Sequence, residues 1–224
     1  MPENINKVKN GLFLSIEGPD GAGKTTQAML LKTRLENCGI EVLLTREPGG
    51  TPVGEGIRKI LLNPEYAEMT VACEILLYSA ARAQLVRQSI NPSLKMGRVV
   101  ISDRYLDSNI VYQGFGGGER PEIIEKINLW ATEGLLPEIT FLLDLDVENG
   151  LKRLQERDKN GKWQGDRVEQ KELDFHRRVR RGYLALAANH PERFIVIEAE
   201  GSTAAIHERI WQKTESLLRK KNLL

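Results

Sequence analysis

The sequence predicts an α/β fold in three layers, a parallel sheet covered by helices, and three observations lead there. Five short apolar segments, 12–16, 40–45, 98–102, 139–145 and 194–198, read as strands buried on both faces. Helical stretches at 24–38, 53–62, 69–95, 120–133, 147–157, 168–189 and 203–221 alternate with them. Between the first strand and the first helix lies Gly18-Pro19-Asp20-Gly21-Ala22-Gly23-Lys24-Thr25, a full match to G-x-x-x-x-G-K-[ST].

Taken in order, the first strand delivers the chain to this loop, and Ala28, Leu31 and Leu35 give the following helix one apolar side. The glycines let successive N–H groups point at phosphate oxygens, and the helix N-terminus adds the positive end of its dipole. Lys24 then reaches the β- and γ-phosphates and Thr25 is placed to ligate Mg²⁺, so the chain binds a nucleoside triphosphate. After the second strand comes Thr45-Arg46-Glu47-Pro48-Gly49-Gly50-Thr51, by itself a polar turn with surface charges. Beside a phosphate loop, Arg46 and the later Arg58 are within reach of a second anionic group.

The 69–95 helix contains Glu74, Arg82 and Arg87, which excludes an uninterrupted apolar membrane span. Its Tyr78 and Arg82 share a face, and spacing alone favours a core tyrosine and a surface arginine. The third strand ends in Ser102-Asp103-Arg104-Tyr105. Asp103 stands where a carboxylate binds Mg²⁺ or its waters, and Arg104 suits bidentate phosphate contact, with a structural Asp-Arg pair as the alternative. Downstream, Asp107, Ser108, Asn109, Tyr112 and Gln113 offer more hydrogen-bonding groups than a packed helix start requires. The run 114–118 reads as a flexible hinge or loop, and the charged stretch from Arg157 to Arg167 as a mobile lid supplied with Arg153, Arg157, Lys159, Lys162 and Arg167. Arg177, Arg178, Arg180 and Arg181 read as an exposed helix face, and the three histidines have no metal-ligand spacing.

Composition narrows the partners. At 224 residues one domain suffices, here 11–224 after a flexible N-terminal extension at 1–10, with the lid at about 153–167. Lys plus Arg (32) balances Asp plus Glu (31), which argues against duplex nucleic acid or an anionic membrane as partner. Two cysteines without C-x-x-C spacing and a polar N-terminus without a signal core fit a reduced, cytoplasmic protein.

With these residues in hand, the chain resembles the bacterial thymidylate kinase family nearly end to end. The marks are Glu17 to Thr26, Thr45 to Thr51, Tyr78 to Arg82, Asp103 to Gly114, and Asp166-Arg167-Val168-Glu169. The resemblance implies a P-loop kinase fold with a five-stranded sheet in the order 2-3-1-4-5, a homodimer packed through helices, and transfer of the γ-phosphoryl group of ATP to dTMP with Mg²⁺. It implies that the loop Gly18 to Thr26, with Arg153, holds ATP, and that Asp20 helps place the dTMP sugar and phosphate. It further implies that Arg46, Glu47, Arg58 and Arg104 meet dTMP, Arg104 on its phosphate, while Arg82, Asn109, Tyr112 and Gln113 form the base pocket. Tyr78 stands where the family has a thymine-stacking phenylalanine. Members carry a catalytic arginine either in the loop or in the lid; Gly21 occupies the loop position here, which makes Arg157 the first choice, ahead of Arg153, Lys159 and Lys162. Together with Lys24, Arg104 and Asp20, Arg157 completes the expected catalytic group. A kinase for another pyrimidine monophosphate is the near alternative, and a P-loop regulatory switch is disfavoured by the absence of an [NT]-K-x-D motif.

Overall fold

The computed structural model describes residues 11–157 and 165–224, the side chain of Arg157 excepted. The extension at 1–10 and the lid segment 158–164, with Lys159 and Lys162, lie outside the described residues. Five strands, β1 (Leu12–Glu17), β2 (Val42–Arg46), β3 (Val99–Asp103), β4 (Ile139–Asp144) and β5 (Phe194–Glu198), form one sheet in the order β2-β3-β1-β4-β5. Every neighbouring pair is parallel, and β1 at the centre registers Ile16 with Asp103 on one side and with Phe141 on the other. The expected topology is therefore observed.

Alternate β1 residues enter two different cores, as the strand's period of two requires. Leu12, Leu14 and Ile16 pack with Ala28, Leu31 and Leu35 of α1 (Lys24–Asn37) and with Ile206, Ile210 and Trp211 of α9 (Thr203–Lys220). Phe13, with Val100 and Leu142, faces the other layer, which holds α3 (Val71–Leu85) and α8 (Leu173–Asn189). β1, β3 and most of β4 are buried on both faces, but β2 and β5 are only partly so. The expectation of five fully buried strands fails at these two because they are the sheet edges, where only one neighbour covers the chain.

Helix boundaries follow local chemistry. In α2 (Pro52–Leu62) the Thr51 hydroxyl accepts the Gly54 N–H at 3.0 Å and Pro52 opens the first turn. The long 69–95 stretch is divided: α3 widens into a π-type turn at 86–90 before α4 (Asn91–Lys95), where Pro92 has no N–H to return to Gln88. After α5 (Leu106–Asn109) the backbone continues in similar wide turns over Ile110–Gly116, so the expected glycine hinge at 114–118 is largely helical. Gly116 serves close packing instead, since a Cβ there would meet the Phe175 ring at 2.6 Å, and Gly182 of α8 makes room for Phe115 of this run, whose ring a Cβ would meet at 2.7 Å. α6 (Pro121–Thr132) and α7 (Val147–Arg157) complete the set. α8 starts at Leu173 rather than at 168, because the Asp166 carboxylate accepts the N–H groups of Val168 (2.8 Å) and Glu169 (2.9 Å) and holds a turn there.

The arginine run of α8 is also more engaged than an exposed face would be. Arg180 grips the Asp144 carboxylate at 2.7 and 3.0 Å, Arg178 donates to the Gly116 carbonyl at 3.0 Å, and Arg177 pairs with Glu148. Arg177, Arg178 and Arg181 are exposed as expected, and Arg180 alone departs from that face, half-buried against Asp144.

Candidate active site

The carboxyl ends of β1, β2 and β3 bring the three polar clusters of the sequence to one cleft, as a parallel sheet with helical crossovers requires. From β1 the chain enters the loop with Gly18, Gly21 and Gly23 all at positive φ (144°, 78° and 90°). α1 begins with no side-chain cap at Gly23, leaving its first N–H groups directed at the cleft. Lys24 folds back over the loop and donates from Nζ to the carbonyls of Gly18 (3.0 Å) and Pro19 (2.8 Å). Burial, seconded by Arg104, lowers its pKa to about 8. The next residue, Thr25, donates its hydroxyl to Asp103 at 2.5 Å, joining the helix start to the end of β3.

Position 21 is closed to a side chain. A Cβ there would stand 2.1 Å from the Gly150 carbonyl oxygen of α7, and a Cβ on Gly150 would stand 2.3 Å from the Asp20 carbonyl. Loop and helix thus touch backbone to backbone, which excludes a loop arginine physically as well as by sequence.

One residue beyond Asp103, Arg104 adopts φ 69°, a left-handed conformation that a non-glycine side chain takes only at some cost. Surrounding groups hold it there. Its Nη2 donates to Asp20 and, at 3.1 Å, to the Tyr112 hydroxyl; its Nη1 donates to Ser108 Oγ (3.1 Å), the Tyr183 hydroxyl (3.2 Å) and the Gly18 carbonyl (3.3 Å). Burial opposes the charge on Asp20, but Arg104 and then Lys24 outweigh it and keep the carboxyl below its ordinary range. Behind this cluster lies Glu17, fully buried, its pKa raised to about 7 by burial and by Asp107.

A cavity opens from Arg104 toward α3, walled by Tyr78, Arg82, Asn109, Tyr112 and Gln113 among others. Arg82 is 1 % exposed, not the surface arginine that spacing alone favours. It donates to Glu47 at 2.7 Å, to Asn128 at 2.6 Å and to Asn109 at 3.4 Å. Asn109 in turn donates to Gln113 (2.8 Å), and Gln113 to Glu74 (2.7 Å), which also receives Arg167 from the lid's far end at 2.5 Å. The second cleft, along the loop, is lined by Lys24, Thr25, Arg46, Asp103 and their neighbours.

Most of the sequence-predicted residues are therefore brought together. Asp20, Glu47, Arg58 and Arg104 line both cavities, and Arg46 lines the loop cleft while exposed and paired with Glu55 at 3.2 Å. Arg58 is anchored by its hydrogen bond to the Pro48 carbonyl at 2.9 Å. Arg153 does not line either cavity; it donates to the Ala199 carbonyl at 3.3 Å, at the loop after β5. Arg157 ends α7, with its side chain outside the described residues. Asp166 and Glu169, assigned no individual role from the sequence, line both cavities. Nor did the sequence single out Glu17, Tyr183 or Asn128; a carboxylate inside an otherwise apolar strand was the available signal for Glu17.

Comparison with known proteins agrees with this geometry. The family description "Thymidylate kinase" matches residues 16–210. A thymidylate kinase of Halothermothrix orenii is 46 % identical over 208 residues, covering 93 % of this chain and 98 % of the relative. One from Deinococcus radiodurans is 47 % identical over 204 residues, 91 % and 96 % of the two chains. Among solved structures, the thymidylate kinase of Ehrlichia chaffeensis superposes with a TM-score of 0.72 at 31 % identity, covering 92 % of this chain and 99 % of that one. Sheet order, phosphate loop and near end-to-end similarity agree, and the chain belongs to the thymidylate kinase family.

Proposed function

We propose that the chain transfers the γ-phosphoryl group of ATP to dTMP, giving ADP and dTDP. The observation that supports this best is the junction of the two cavities, which share Asp20, Glu47, Arg58, Arg104, Asp166 and Glu169. A triphosphate on the loop and a monophosphate in the side-chain cavity would meet at Arg104. Residues Gly18 to Thr26 hold the triphosphate, while Arg153, which lines neither cavity, stands apart on the Ala199 carbonyl after β5. Arg104 takes the acceptor phosphate, Asp20 orients it and the sugar, and Arg46, Glu47 and Arg58 close that side. Tyr78 stacks on the base while Arg82, Asn109, Tyr112 and Gln113 surround its edge. Because the N–H groups of Arg82 already meet Glu47, Asn128 and Asn109, its hydrogen bond to a base is one of several shared contacts.

Thr25 and Asp103 present hard oxygens at the loop, a donor set that fits Mg²⁺ taking its remaining ligands from phosphates and water. When bound there, Mg²⁺ neutralises charge on the β- and γ-phosphates. The protein's own part is in-line positioning and cationic cover: Lys24 spans the transferred group, and Arg157 is the lid cation that closes over it. No general base is needed for a phosphate acceptor.

A second reading, a kinase for another pyrimidine monophosphate, draws on Tyr78, whose hydroxyl asks for a partner that phenylalanine would not. Measuring ADP formation with Mg²⁺-ATP and each nucleoside monophosphate in turn decides between them. Acceleration by dTMP alone is expected; acceleration by dUMP or dCMP instead would transfer the function, and ATP turnover indifferent to every acceptor would refute a kinase.

A homodimer is part of the reading. Leu76 on α3 and Leu129 and Trp130 on α6 are 61 %, 38 % and 84 % exposed, an apolar face that a second copy of the chain would cover. A monomeric mass in solution would sink it. The cytoplasm is the compartment we assign, where ATP and deoxynucleotides occur and the free, exposed thiols of Cys38 and Cys73 stay reduced; cell fractionation tests this. No helix among the described residues is long and apolar enough to cross a membrane.

A further inference from the structure

Glu17 sits at the end of the central strand with no exposed surface, beneath the arginine assigned to the acceptor phosphate. Its two oxygens have different company. Oε1 accepts the backbone N–H of Tyr105 at 2.6 Å, while Oε2 accepts the hydroxyls of Ser108 at 2.6 Å and Tyr183 at 2.8 Å. Those same two hydroxyl oxygens, which lie 2.8 Å from each other with either able to donate, are the acceptors for Arg104 Nη1. A hydroxyl has one proton. If both protons point down to an ionised carboxylate, both oxygens turn lone pairs up to the guanidinium, and Arg104 is held from below as Asp20 and Tyr112 hold it from the side.

We propose that Glu17 is a positioning residue for the phosphate-binding arginine: by accepting from Ser108 and Tyr183 it aims both hydroxyl oxygens at Arg104 and fixes the guanidinium where the acceptor's phosphate arrives. This rests on the reading of Arg104 given above. The chemistry requires a group that only accepts. A glutamine would put its NH₂ either against the Tyr105 N–H or against the two hydroxyls; in the first case two donors collide, and in the second a hydroxyl proton is turned toward Arg104. Protonation of the carboxyl has the second effect. The charged and titratable groups around Glu17 are Asp107 on α5, Arg104 and Tyr105 after β3, Lys24 on α1, Tyr183 on α8 and Arg193 before β5. Asp107 is neutralised by Arg193 through contacts of 2.6 and 2.8 Å, which leaves Arg104 and, farther off, Lys24 as the cations that answer Glu17 from the cleft side.

The test uses the full chain as wild type, Glu17→Gln, Tyr183→Phe and the double variant. KM for dTMP at saturating ATP, KM for ATP at saturating dTMP, and dTMP binding by calorimetry without ATP are measured. Glu17→Gln should raise KM and Kd for dTMP about tenfold while KM for ATP stays within about twofold. Tyr183→Phe should raise the dTMP values by about threefold, and the double variant should be no worse than Glu17→Gln, because both act through one relay. Wild-type dTMP affinity should fall below pH 7 more steeply than that of Glu17→Gln, whose curve retains only the titration of the substrate phosphate. Unchanged dTMP constants, equal losses for ATP and dTMP, or full additivity would overturn the assignment. Should Glu17→Gln fail to fold by near-ultraviolet dichroism, Tyr183→Phe and Ser108→Ala carry the test, and normal dTMP affinity in both refutes it. If the wild type prefers another monophosphate, dTMP specificity fails while the same series with that acceptor still decides the role of Glu17. A wild type indifferent to every monophosphate overturns both.

Discussion

The two halves of the cleft are built from different material. On the triphosphate side the contacts offered are mostly main chain: glycines at positive φ, the uncapped start of α1, and a single lysine resting on two carbonyls. On the acceptor side they are side chains locked to one another, with Arg104, Asp20, Tyr112, Ser108, Tyr183 and Glu17 forming one hydrogen-bonded body. The difference follows from the task. Phosphates common to every nucleoside triphosphate need only N–H groups and a charge, which any backbone can supply. A particular monophosphate has to be chosen, and choice requires polar groups that are left unpaired by the wrong ligand.

The comparison breaks most sharply at Lys24. Lys24→Ala should lower kcat by at least about 10²-fold, since it removes the cation over the transferred group, with a smaller change in KM for dTMP. Steady-state ADP formation measures this, and a loss confined to dTMP affinity would erase the distinction between the sides. Next comes Arg104→Ala, expected to raise KM for dTMP by roughly 10- to 100-fold while KM for ATP changes little. Equal loss of both would mean that Arg104 serves the loop rather than the acceptor.

A smaller effect concerns stability. Glu17 has a folded pKa of about 7 against an ordinary 4.5, so between these values the folded state keeps a proton that the unfolded chain has released. Its contribution is therefore present at pH 4.5 and is lost as the pH rises through 7, by on the order of 3 kcal/mol. Denaturant midpoints of wild type and Glu17→Gln at pH 5 and 8 should show the wild type losing ground to the variant. A difference constant with pH would show that the buried charge is compensated in the folded state.

How much of this could be read beforehand divides along the same line. The loop and the gathering of the three strand-end clusters follow from local pattern plus the rules of parallel sheets, the strand order follows from the family resemblance, and all stand as expected. The acceptor-side network was partly hidden because its partners are distant in sequence: Arg104 meets Tyr183, and Glu74 meets Arg167, only after folding. Spacing alone misplaces Arg82 because helical periodicity cannot know that Glu47 waits in the interior to neutralise it and Asn128 to accept its N–H. The glycines at 114–118 suggest mobility, whereas Gly116 lies against Phe175 and Phe115 against Gly182, a close contact between this segment and α8.

The contact of Gly21 with Gly150 bears on how such an enzyme can change. An arginine cannot be introduced at position 21 of the loop by one substitution, because a side chain at 21 collides with α7 and a side chain at 150 collides with the loop. The two glycines are a matched pair, and placing a cation in the loop means redesigning how a helix leans on it, a change of architecture rather than of one residue's identity.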